Sequence, residues 1–347
     1  MMEAYVAIII IWLFLFLYAL GGAIDFGAGF WSMFYIGRKD TTAASIANLY
    51  LNPSWKVTNV FLVLFVVGFV GLFPHAAFTL GSIMIVPVSF VLILLIIRSA
   101  FMVYSYSVQK YTKLFTYISG VTGLLIPALM LSILPIIIGG FVEVVGDRHY
   151  ILYDRLLTSP TLYAHIGFGL TAELFLSSLF LSDYAREAKA MGTYEVYRRN
   201  AIILGPIMLS MAVAATMTLI PEAMWMVENM ARQWHLFALS LVVFSIGYSA
   251  LWWPSRKGRV GQPRVAVLMM VVQIALASFA YGWSHMPYIV YPKLTIYDAF
   301  TNIEMFYSLL WGYAIGMAIL LPLFYWFWRL FLKDKRYLTN KEVDDVR

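Results

Sequence analysis

The chain has 347 residues, of which 62% are hydrophobic and only 12% charged, with mean hydropathy +0.81 and net charge +6. Soluble domains carry about 25% charged residues, so a water-soluble globular protein is excluded and an integral membrane protein is indicated. In that setting the basic excess sets orientation, and it does not mark a nucleic-acid partner. There is no cysteine, which excludes Cys-ligated iron–sulfur clusters, thiolate-ligated haem and thioether haem attachment.

Spanning helices need about 20 apolar residues. In chain order the apolar runs predict nine: 5–35, 58–76, 79–105, 113–140, 160–183, 200–221, 234–254, 264–285 and 304–332. The opening stretch MMEAYVAIII lacks a basic segment and a small-residue cleavage site, so it reads as a retained first helix. The fold class is all-α, a polytopic bundle forming a single membrane domain. Its candidate halves are two four-helix bundles, 1–140 and 160–285, plus the final helix 304–332 and a cytoplasmic tail 333–347. With the N-terminus outside, nineteen of the 24 Lys and Arg residues fall on the cytoplasmic side and four outside, with Arg98 inside a helix. That asymmetry predicts an outer N-terminus and a cytoplasmic C-terminus.

The first run contains GGAIDFGAGFW, residues 21–31. A charged side chain at a membrane helix centre costs roughly 2.5–3.5 kcal/mol on insertion scales. Gly21, Asp25 and Gly29 recur every four residues, with Gly22 and Ala28 beside them, so small residues let another helix close over the acid. Asp25 is a candidate proton-path residue; a purely structural hydrogen bond is the alternative. Arg98, in LLIIRSAF, either snorkels to the interface or pairs with an acid or an anionic cofactor group. Glu173 lies on a stripe with His165, Gly169 and Ser177 at intervals of four. That stripe must face protein or a wet cavity, making Glu173 a second proton-path candidate or an interhelical hydrogen-bonding group.

All five histidines, His75, His149, His165, His235 and His285, fall near the outer side. They either bond loops and head groups or, if matched across helices, ligate a haem. No metal motif and no ATP-binding loop occurs. Gly205–Pro206 and Pro135 are the candidate helix breaks that a secondary transporter would use.

Four stretches together resemble cytochrome bd quinol oxidase subunit II. GGAIDFGAGF resembles that family's first-helix motif. LNPSWKVTNVFLV (51–63), LFPHAAF (72–78) and LLIIRSAFMVYSY (94–106) follow in the family's order. The match covers about the first 110 residues, after which topology and length agree. One departure stands out: after Trp55 the family often has an acidic residue, where this chain has Lys56. The resemblance implies a subunit of a respiratory complex in the bacterial plasma membrane that oxidises quinol and reduces dioxygen to water. It further implies that haem b and haem d belong to a partner subunit I, that this chain ligates none, and that quinol is used through the complex. Membrane lipid or a bound quinone, and a small third subunit, are further expected partners. The readings that compete with it are an ion-coupled transporter and a haem protein in its own right.

Overall fold

The computed structural model describes residues 2–327 and 329, apart from 39–40, 108–110, 146–147 and 256–259. Side chains at 52–56, 105–107, 144–145, 148–149 and 327 also lie outside the description, as does the expected tail 333–347.

Helix α1 (Met2–Tyr35) runs unbroken through the Asp25 segment. Helix α2 (Ala43–Leu72) returns beside it, and α3 (Pro74–Ile83) leaves at 114°. The cause is Pro74 at the first position of α3. It has no N–H to continue α2 and pushes Phe73 out of the helical region, to φ −132° and ψ 61°. The expected second and third spans, 58–76 and 79–105, therefore meet differently. The former ends at Leu72, and the latter is α4 (Ile85–Ser107) preceded by the last residues of α3.

The expected span 113–140 is also divided, into α5 (Thr112–Leu131) and α6 (Ile133–Ile138). Pro135 cannot donate to the carbonyl of Leu131, and Gly139, at φ 118°, ends the segment. A hairpin of β1 (Val142–Val145) and antiparallel β2 (Arg148–Ile151) follows, then the short α7 (Tyr153–Thr158).

Helices α8 (Pro160–Glu187) and α9 (Met191–Glu222) form an adjacent pair. Pro206 is accommodated inside α9, so Gly205–Pro206 does not break it. The amphipathic α10 (Met224–Arg232) leads into α11 (Trp234–Ser249), which packs on α12 (Pro263–His285). A second hairpin, β3 (Tyr288–Val290) with β4 (Leu294–Thr295), precedes α13 (Ile296–Ala299) and α14 (Ile303–Phe327). Thr295 and Asp298 cap α13 reciprocally, and the Thr295 bonds hold the Asp298 carboxyl below its usual value.

The protein is an all-α polytopic bundle, as the apolar runs predict. Among the described residues seven helices are long and apolar enough to span a membrane, or eight if the bent α2–α3 pair is one span. The other expected span, 234–254, falls on α11, which is 16 residues long and shorter than the nominal 20.

Helix α1 is the hub, packing on α2, α5 and α8. From Gly22 onward it is mostly buried, including Ile24 to Gly29, Trp31 and Ser32. By contrast α14 touches mainly α2, and residues such as Ile315, Ile319 and Leu323 stay exposed.

Candidate functional site

The site forms where α1 crosses α2, α4, α5 and α8. Asp25 is 3% exposed. Its carboxylate accepts a short hydrogen bond from the Thr58 hydroxyl of α2. The small-residue stripe makes this approach: Gly21 lies opposite the same Thr58 side chain.

Arg98 does not snorkel. It is 4% exposed and enters the bundle between α1 and α5. Nη2 donates to the backbone carbonyl of Asp25 at 2.8 Å, and Nη1 donates to the Ser119 carbonyl at 2.5 Å and the Ser119 hydroxyl at 3.3 Å. The guanidinium also lies 5.0 Å from the centre of the Phe26 ring, within cation–π range. Two glycines make room for it. A β-carbon at Gly29 would lie 2.8 Å from Nη1, and one at Gly123 would meet the same nitrogen at 2.8 Å. The guanidinium thus occupies a slot that any side chain at either position would fill.

Glu173 approaches from α8 and is 1% exposed. Among the described residues neither of its carboxylate oxygens has a hydrogen-bond partner. Its backbone carbonyl is better served, accepting from the Ser177 hydroxyl at 2.7 Å, while Ser177 accepts from the Trp31 indole at 3.0 Å. Gly27 makes this α1–α8 contact tight: a β-carbon there would lie 2.9 Å from the Glu173 carbonyl oxygen. His165, Gly169, Glu173 and Ser177 are all buried, so the stripe faces protein.

The histidines do not gather at this site. His75 and His235 are exposed, and the His149 side chain lies outside the description. His165 bonds the Thr161 carbonyl through Nδ1 at 2.8 Å and the Tyr281 hydroxyl through Nε2 at 3.2 Å. His285 bonds the Tyr288 carbonyl through Nδ1 at 2.8 Å and packs against Trp225 at 5.5 Å. Among the described residues no group of three His, Cys, Asp or Glu could hold a metal ion.

Sequence reasoning missed the partners Thr58, Ser119 and Trp31. Thr58 carried a usable signal, since it falls two residues after the departure at Lys56, whose own side chain lies outside the description. Trp31 and Ser119 carried none, because their roles depend on which helices meet.

A bundle of apolar helices that buries an arginine and two acids defines a polytopic membrane protein with ionisable groups in its interior. The chain matches the family "Cytochrome bd terminal oxidase subunit II" over residues 2–331 and belongs to that family. It is 41% identical over 342 residues to the "Putative cytochrome bd menaquinol oxidase subunit II" of Bacillus subtilis (strain 168), covering 98% of this chain and 99% of that protein. It is also similar to a chain of the bd oxidase from Geobacillus thermodenitrificans, with TM-score 0.80 and 34% identity, covering 96% of this chain and 100% of that one.

The protein is thus a multi-pass membrane subunit of a terminal respiratory oxidase, an oxidoreductase complex in which it works beside a subunit I. The transporter reading is not favoured.

Proposed function

We propose that this chain completes the membrane bundle of a bd-type quinol:dioxygen oxidoreductase beside a haem-bearing subunit I, and that it helps deliver protons to the site of oxygen reduction. Oxygen reduction consumes protons, and the hydrocarbon core holds no water to supply them. The observation that carries the reading is the burial of Asp25, Arg98 and Glu173 together in the apolar helices of a member of this family. Intramembrane acids at helix contacts are functional by default. Asp25 lies roughly 15–20 Å along α1 from Arg38 at 1.5 Å per residue, a depth suited to an intermediate relay. Thr58 orients its carboxylate, and Arg98 anchors the backbone beneath it. Since Lys56 stands where the family often has an acid, Asp25 and Glu173 carry the route.

Haem b and haem d are assigned to subunit I. Among the described residues the donors suit a haem poorly: His165 has both ring nitrogens engaged, and His285, whose Nε2 is unbonded, is tied to the backbone through Nδ1 and packed on Trp225. The Bacillus subtilis relative's name specifies menaquinol, and we take menaquinol as the quinol here. The lysine and arginine asymmetry supports an outer N-terminus and a cytoplasmic C-terminus. The exposed apolar faces of α4 and α14 leave surface for subunit I, for lipid and for a small third subunit. The division into halves 1–140 and 160–285 is part of the same reading.

The test is co-expression. With subunit I, the chain is expected to co-purify with haem and to support quinol-dependent oxygen consumption. Alone, it is expected to be degraded. A stable, monodisperse chain that binds haem by itself would overturn the assignment.

A further inference from the structure

Where α1 begins and α12 ends, the structure leaves a cavity of about 250 Å³ that the proton route does not use. Its walls include Tyr5, Asn229, Arg232, Trp283 and Tyr297. Tyr5 and Trp283 stack with ring centres 5.9 Å apart. The Tyr297 hydroxyl donates to the Tyr5 oxygen at 2.7 Å, which leaves the Tyr5 hydroxyl hydrogen available to an acceptor. The Asn229 amide is fixed by donating to the Ser284 carbonyl at 3.0 Å.

Arg232 supplies the charge. It is exposed and makes no ion pair among the described residues, although Glu228 lies one turn away on α10. Helix α10 buries Met226 and Met230 and turns Glu228 and Arg232 outward, the pattern of a helix lying in a membrane interface.

We propose that this cavity binds the phosphate of a membrane phospholipid head group. A guanidinium matches phosphate oxygens with two parallel donors, and the Tyr5 hydroxyl adds a third. Trp283 and Tyr297 are 41% and 39% exposed, as residues of an interfacial aromatic belt are. The volume matches a small polar group. Sites for whole small molecules span roughly 300–1,000 Å³, so this one suits a polar head whose acyl chains remain in the bilayer. The proposal rests on the membrane placement of the chain and is independent of the proton route.

The test uses the oxidase complex purified in mild detergent, with wild type, Arg232→Gln and Arg232→Lys compared by native mass spectrometry. Wild type is expected to retain about one phospholipid more than Arg232→Gln, with Arg232→Lys between them and the haem spectrum the same in all three. Equal phospholipid retention in wild type and Arg232→Gln would overturn it, as would loss of a co-purifying quinone instead of a lipid. The delipidated wild-type complex is then heated with phosphatidylglycerol or with inorganic phosphate. Arg232-dependent stabilisation by the lipid but not by phosphate supports a head-group site. Equal stabilisation by inorganic phosphate makes it a free-anion site and defeats the proposal.

Discussion

Arg98 reaches across from α4 and donates to the backbone carbonyl of Asp25 at 2.8 Å. A helix carbonyl is normally shielded by the side chain one turn further on. Here that residue is Gly29, and the guanidinium occupies the place its β-carbon would take. The arginine is therefore bound to the backbone beneath the acid, and the geometry survives changes in the Asp25 side chain.

For Asp25 this separates proton transfer from packing. Asp25→Asn keeps the shape and an acceptor for Thr58 but cannot carry a proton. The complex is expected to assemble with full haem content while oxygen consumption falls about tenfold or more. Asp25→Glu should retain more activity, and Asp25→Leu should impair assembly. Full turnover in the Asn variant would leave Asp25 as a packing residue.

The slot for Arg98 tolerates no added carbon. Gly29→Ala and Gly123→Ala each place a methyl group 2.8 Å from its Nη1. Overpacking of this kind costs about 1–3 kcal/mol, so both variants should lower the thermal midpoint and the yield of the complex. Gly81→Ala, where nothing lies within 4 Å, is the matched control and should change little.

Glu173 is buried with neither carboxylate oxygen bonded among the described residues, an arrangement that costs stability. Glu173→Leu is expected to leave the midpoint unchanged or raise it while lowering turnover. Thermal unfolding and oxygen consumption measured on one preparation give both numbers. A variant as active as wild type would remove Glu173 from the route.

The histidines are expected to be spectroscopically silent. Replacing His75, His165, His235 or His285 singly with Gln should leave the haem absorption of the complex intact. For His165 a loss of about 1–3 kcal/mol in stability is expected, because Gln cannot serve both the Thr161 carbonyl and the Tyr281 hydroxyl in the same geometry. Disappearance of a haem band in any of the four would assign that residue as a ligand.

The charged members of the site were legible in the sequence because burial cost singles them out. Asp25, Arg98 and Glu173 are three charges in apolar runs, and the four-residue spacing of glycines and acids told which faces are buried. What the sequence could not convey is which helices meet. Thr58 is an ordinary threonine until α2 lies against α1, and Gly123 is an ordinary helix glycine until Arg98 arrives beside it. The two hairpins and the turn at Phe73 were hidden for a different reason. Apolar content does not distinguish a helix that continues from one that Pro74 redirects, and the hairpin segments are too short for periodicity to register.

The contact at Gly27 has a mechanical consequence. Helices α1 and α8 meet there with backbone close to backbone, pinned by the Trp31–Ser177 bond. Such a seam has no slack. To part, the helices would have to open a void and strand an indole N–H, and to slide they would have to drive Ser177 into the next residue of α1. A seam of this kind is a fixed joint and leaves no hinge for rocking. Any proton that crosses it moves by hopping between groups that stay where they are.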